Sequence, residues 1–374
     1  MLQGRQAVRV ARHWCRACQK SYSEESPLCV RGSWYGREVH RCAVDKWVHG
    51  RSSLRRVAEE LRSWIGHQDR WKMWQGITSD PTEREHCHLT ATTVGRWVAQ
   101  AGEVAQRSVQ DQWEGIEHSG QFGTDGLWAR LRGGLKRVVL LPVDAVTGVV
   151  WGMHVTEGEE GPQGWSRLFA RASQAGLSEQ EIDGLTSDGA SGLYSFMREA
   201  LSDVHHQRCV WHIWRNLAGD LARALMGLEQ DSKTEMRSEL VGLLHAILDT
   251  SSYEAAEAVL QQLRDHRHGA GLAKKLNEQL DRLLYHLMPN HHGLTRVSPE
   301  WLWRDFRLRL SHGRNHGSVQ HLEQAASLWM VYHNFEPAQW RSERKRRYRY
   351  PGQSPLQVAG VPPSDICYLD ALEV

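Results

Sequence analysis

Apolar spacing changes twice along the chain and divides it into three stretches. In SSLRRVAEELRSWI, Leu54, Val57, Ala58, Leu61 and Ile65 recur at helical spacing, with Ser52 or Ser53 placed to cap. In LTATTVGRWVAQAG, Val94, Trp97 and Val98 make a shorter apolar face behind Thr92 or Thr93. From Gly123 the period shortens to two. TDGLWARL alternates, and the strand-like runs KRVVLLPV and TGVVWGMHV are joined by a turn at Asp144-Ala145-Val146-Thr147-Gly148. Pro142 lacks a donor and hints at an edge or a bulge. A helix over WSRLFARASQAGL, ending at Gly176, leads to a short strand near Ile182 to Thr186. Residues 195–290 then read as almost wholly helical. Ser232 with Glu235 and Ser251 with Glu254 stand at capping-box spacing. Leu276, Leu280, Leu283, Leu284 and Leu287 line one face. A last helix is expected from Ser298-Pro299-Glu300, with Leu302, Trp303, Phe306 and Leu310 inward and Gly313 as its end.

Three strands, a helix and a fourth strand are the element order of an α/β, ribonuclease-H-like core, here carrying an all-α insertion at about residues 215–295. Residues 46–115 form a helix-turn-helix region with an unusually long linker between its helices. Residues 1–45 are rich in Arg and Cys and lack a core of their own.

Composition narrows the class. With 40% hydrophobic and 24% charged residues this is an ordinary globular chain. The net charge of +2 announces no polyanionic partner, but the positive charge is mostly Arg and clustered, and Arg favours bidentate phosphate contact. Several of the 17 Trp neighbour Arg or His, which suits stacking surfaces as well as cores. The 7 scattered Cys suggest reduced thiols. The first residues carry no apolar signal-type run, and no apolar stretch is long enough to span a bilayer. The expectation is a cytoplasmic, nucleoid-associated protein with no membrane partner.

Two acidic residues lie at the ends of predicted strands and are followed by glycine: Asp125-Gly126 and Asp188-Gly189. Carboxylates at strand ends with a small neighbour suit Mg2+, which takes oxygen ligands and leaves room for phosphate. Two such ions about 3.5–4 Å apart stabilise both oxygens of an in-line displacement. Glu300 offers a third carboxylate in the first turn of the last helix, with Glu323 as a more distant substitute. Asp144 is the rival second carboxylate, but the turn between two strands accounts for it.

The order DGLW, SDGASGL, HHQRCVWHIWRN, EWLWRDFRLR resembles Mutator-like transposases and their bacterial insertion-sequence relatives of the DDE type. The resemblance covers most of the chain. It implies that Asp125, Asp188 and Glu300 are catalytic and hold Mg2+ or Mn2+, making residues 116–374 the catalytic domain. It further implies hydrolysis at the ends of a mobile element and transfer of the 3′-hydroxyl into target DNA. Partners would be terminal inverted repeats and target DNA, bound by at least a homodimer. A derivative that has lost catalysis and serves as a DNA-binding protein is the alternative.

Cys209 and His212 lie one helical turn apart, as half a zinc site, a structural pair or contacts orienting DNA; the last two are preferred. Arg215 and Asn216 follow on the same helix. Cys15-x-x-Cys18 looks like one knuckle of a zinc ribbon, with His13, Cys29 or Cys42 as irregularly spaced candidates to complete a Zn2+ site. Arg304, Arg307, Arg309, Arg314 and RSERKRRYRY (341–350) surround the proposed site and read as phosphate-tracking, joined by Arg130, Arg96 and Arg55. Trp128 and Trp303 flank the acidic residues and are expected in the core.

Overall fold

The computed structural model describes residues 12–23, 33, 35–74, 89–111, 116–288, 296, 299–310, 316–337, 352–362 and 367–373. The basic run 341–350, Cys29, Ser298, Gly313 and Arg314 lie outside them, as do the side chains of Cys15, Glu300, Arg309 and Leu310.

The hairpin β1 (Arg12–Cys15) and β2 (Lys20–Ser23) precedes three helices: α1 (Arg37–Val48), α2 (Leu54–Trp74) and α3 (Ala91–Asp111). Ser53 caps α2 by accepting the Arg56 N–H, so of the two expected serines it is the second that serves. At α3 the cap is Thr90, which accepts the Thr93 N–H, not Thr92 or Thr93. The predicted faces hold: Val57, Ala58, Leu61, Val94, Trp97 and Val98 are buried. Helix α1 begins in the stretch expected to lack a core, yet it buries Ala43, Val44, Trp47 and Val48 against the same cluster.

The five-stranded sheet runs β5 (His154–Val155), β4 (Lys136–Asp144), β3 (Gln121–Arg130), β6 (Gly184–Ser187), β7 (His205–Arg208). Strand β4 is antiparallel to both its neighbours, β5 and β3, and β6 and β7 continue parallel to β3. Strand β7 falls where only helix was expected. HHQR is too short and too polar to announce a strand, and it is one because β6 offers it an edge to pair with. Pro142 sits inside β4 opposite Thr124, where β5 no longer pairs with that strand, so its missing N–H costs no ladder bond to β5.

Helix α4 (Pro162–Gln174) begins at Pro162, three residues before the expected start, and packs with α5 (Ser191–Ala200) and strands β4 and β5. After β7 come α6 (Val210–Ala224), α7 (Gln230–Leu248), α8 (Tyr253–Asp265), α9 (Ala270–Asn277) and α10 (Leu280–Leu283). They enclose a second apolar cluster around Leu240, Leu244, Ile247, Leu263 and Leu276. Their caps differ from expectation. Glu229 rather than Ser232 precedes α7, and Ser252 rather than Ser251 caps α8 through the Ala255 N–H. The leucine-rich stretch is broken between α9 and α10 rather than continuous.

Helix α11 (Glu300–Leu310) buries Leu302, Trp303 and Phe306 as predicted. A further helix, α12 (Val319–Phe335), was not expected. Apolar residues surround it on all sides and it carries no amphipathic stripe, because it is buried from Leu322 to Asn334 against α3 and β5. Its Asn334 side chain exchanges two hydrogen bonds with the Val150 backbone. One continuous apolar cluster thereby joins α1, α2, α3, the sheet, α11 and α12. No helix among the described residues is long and apolar enough to cross a membrane.

Candidate active site

The parallel register of β3 and β6 builds the centre of the site. Gly123 lies opposite Thr186, and continuing that register two residues brings Asp125 level with Asp188. Asp188 follows the last residue of β6, and its Oδ1 accepts the Ala190 N–H in the turn into α5. Asp125 is buried within β3, its Oδ1 accepting the Gly126 N–H.

The third group is His212. Cys209 is the residue before α6, and its N–H donates to the Ser187 carbonyl at the end of β6, while the Val210 N–H donates to the Arg296 carbonyl. These two bonds fix the start of α6, and its first turn carries His212, which is buried. One ligand atom each from Asp125, Asp188 and His212 lies within 4.8 Å of the others. Two carboxylate oxygens and an imidazole nitrogen converging this closely fit a divalent cation. The carboxylates suit Mg2+ or Mn2+, and the imidazole widens the set toward softer ions. Cys209 is fully buried at the helix start and forms no disulfide.

Glu300 is the first residue of α11. Its neighbour Pro299 is buried against β3: a Cβ on Gly123 would meet the Pro299 ring at 3.0 Å. Gly123 and Asp125 share one face of β3, two residues apart, so the start of α11 adjoins the strand that carries Asp125.

Two charged residues at the site escaped the sequence reading. A Cβ on Gly126 would lie 2.7 Å from Oε2 of Glu160, whose carboxyl is pushed up to about 7, first by burial and then by the negative charge of Asp188, with Trp165 partly offsetting this. Glu160 ends the polar run EGEE, which reads as a solvated loop and gives no signal of burial. Arg208, the last residue of β7, places its guanidinium where a Cβ on Gly189 would stand. Its Nε donates to Gln279 Oε1 at 3.2 Å. Small neighbours therefore do follow both aspartates, but each vacated space is taken by a charged side chain from elsewhere in the chain.

The rival carboxylates are occupied. Asp144 accepts the N–H groups of Ser119, Val146 and Thr147 and the Ser119 hydroxyl, and so holds the turn as expected. Glu323 lies beside Arg171, His154 and the Val155 N–H at the β5 edge, which removes it as a substitute third ligand.

Arg130, Arg304, Arg307, Arg215, Asn216, Arg96 and Arg55 are all exposed. Arg55 is paired with Glu59 along α2. Arg215 stacks over the exposed Trp211 at 5.0 Å, and Arg282 over the exposed Tyr194 at 4.7 Å. Trp303 is in the core as expected, whereas Trp128 is 53% exposed, because it points from β3 to the face opposite Asp125 and Leu127.

At the other end, Cys15 closes β1 and Cys18 lies exposed in the turn to β2. Cys18 belongs to no group of three or more metal-ligating side chains among the described residues. Cys42 is half-buried on α1, where burial pushes its thiol up. The described residues do not make up the four ligands of a structural Zn2+ site.

No curated protein matches the chain. Residues 141–292 match the family model described as "Transposase, Mutator family". That stretch contains Asp188, Cys209 and His212, with Asp125 and Glu300 outside it. The resemblance read from the order of the motifs is thus supported over residues 141–292, where the chain is similar to Mutator-family transposases.

Proposed function

We propose that the chain is a DDE-type DNA transposase that hydrolyses a phosphodiester at each element end and transfers the resulting 3′-hydroxyl into target DNA. The observation that carries this reading is the convergence of Asp125, Asp188 and His212. Glu300 completes the carboxylate set from the first turn of α11, a position supported by the seat of Pro299 on Gly123. Asp125, Asp188 and Glu300 would hold a pair of divalent cations, whose chemistry there would be activation of the attacking oxygen and stabilisation of the leaving one. The chain's own residues orient the strand, neutralise phosphate charge and keep water from the wrong face, which is most of what phosphoryl transfer asks of a protein.

The sheet order, with antiparallel β5, β4 and β3 followed by parallel β6 and β7, supports a ribonuclease-H-like core. Helices α6 to α10 fill the place of its all-α insertion. Exposed Arg130, Arg304 and Arg307 and the arginine–aromatic stacks at Trp211 and Tyr194 suit DNA passing the site. Arg55 on α2 and Arg96 on α3 suit a helix-turn-helix contact with the element end, and the Cys15–Cys18 turn suits a zinc knuckle completed from outside the described residues. Joining two ends suits a homodimer or larger assembly acting on nucleoid DNA.

A joining assay with Mg2+, end fragments and a target plasmid tests the reading. Wild type is expected to cut and join, and Asp188→Asn and Glu300→Gln to lose at least a hundredfold in both steps (on the order of 3 kcal/mol in barrier) while still binding DNA. Cutting without any joined product would make the chain a nuclease. Binding without cutting by wild type would make it a recruited DNA-binding derivative. Full activity in Glu300→Gln would remove Glu300 from the site.

A further inference from the structure

The mechanism above leaves Arg208 unused. It is 8% exposed, and its Nη1 is buried with no hydrogen-bond partner among the described residues. Among the described residues its Nε alone is held, by Gln279 in the turn between α9 and α10. Asp188 is close enough for its charge to act on Arg208, and Arg282 is close enough to repel it. An arginine stays charged when buried, and a buried guanidinium with an open donor is costly unless an anion completes it. The surroundings say which anion. Cations gathered by Asp125 and Asp188 would repel Arg208, unless a group carrying several negative oxygens lies between them. A phosphodiester meets that demand, and the guanidinium fork matches its geometry.

We propose that Arg208 binds a DNA phosphate at the carboxylate site, its guanidinium aimed there by Gln279 of the helical insertion. The inference rests on the transposase reading of that site and adds a phosphate ligand to it. It also gives the insertion a task. The end of the insertion docks on β7 through bonds from Gln207 Nε2 to the Leu283 carbonyl and from the His286 N–H to Gln207 Oε1, and Tyr285 bonds His205. These bonds set Gln279 beside Arg208. Arg208 is the phosphate-binding residue and Gln279 a positioning residue.

The test is binding of the full chain to a fluorescein-labelled 40-base-pair duplex of mixed sequence, measured by anisotropy in Ca2+ across salt concentrations, with thermal melts of every variant. Each phosphate neutralised contributes about 0.9 to the slope of log K against log salt. Arg208→Gln is expected to lower that slope by about 0.9 and to weaken binding roughly tenfold at 0.1 M salt, while Arg208→Lys keeps the slope. Gln279→Leu keeps the slope as well but binds roughly threefold more weakly, because the guanidinium is present and no longer aimed. Arg223→Gln, on the exposed side of α6, is the control and should change neither. An unchanged slope in folded Arg208→Gln overturns the proposal and leaves Arg208 as a counter-charge for Asp188. If that variant does not fold, unchanged binding by Gln279→Leu overturns it. Failure of wild type to bind the duplex at all would instead bring down the transposase reading, and this inference with it.

Discussion

At Gly126 and Gly189 the hydrogen that replaces a side chain makes room for a charge. Gly189 has φ +75 and lies against the Arg208 guanidinium, so an alanine there meets backbone strain and a buried cation together. Gly189→Ala is expected to destabilise by about 3 kcal/mol or more in urea unfolding. Gly126→Ala meets the end of the Glu160 side chain and a Val138 methyl, and should cost about 1–3 kcal/mol. Equal losses at the two positions would contradict this account. Glu160 itself has a pH signature. With its carboxyl at about 7 against an ordinary 4.5, the folded chain keeps a proton that the unfolded chain releases over that interval. Stability therefore falls as pH rises from 4.5 to 7. Glu160→Gln should be more stable than wild type at pH 8 without divalent metal, by up to about 3 kcal/mol, and the gain should vanish near pH 4.5. A pH-independent difference would remove Glu160 from the neighbourhood of Asp188.

At the scale of elements, the two apolar clusters separate tasks. Helices α6 to α10 bury their leucines among themselves, while α12 belongs to the cluster of the sheet. Leu244→Ala is expected to cost about 2–5 kcal/mol and to raise amide hydrogen exchange in residues 230–285 while α12 stays protected. Simultaneous loss of protection in both regions would show that the clusters unfold as one. The elements legible in the sequence were those with a period. The amphipathic faces of α2 and α3 and the strand β3 follow from local preference. Strand β7 and helix α12 were missed for opposite reasons. The first is polar and exists through its pairing with β6, and the second is apolar on every side and so shows no stripe.

Over the whole molecule, burial holds His40, His206 and His316 at about 4, against an ordinary 6.5. Between those values the unfolded chain takes up protons that the folded chain refuses. The three histidines thus contribute their full stability above pH 6.5 and lose it as pH falls toward 4. Glu160 acts in the opposite sense but singly, so unfolding free energy should drop steadily from pH 6.5 to 4. A flat profile across that interval in urea titrations would contradict the burial of these rings. The sequence by itself determined the candidate acids, Asp125 and Asp188, and the order of the elements that carry them, because motif order and hydrophobic period are one-dimensional properties. Tertiary structure decided who joins them. His212, Glu160 and Arg208 reach the site from a helix, a loop and a strand end far apart along the chain. Their roles depend on burial and on neighbouring charge, and those are set only once separate elements have packed together.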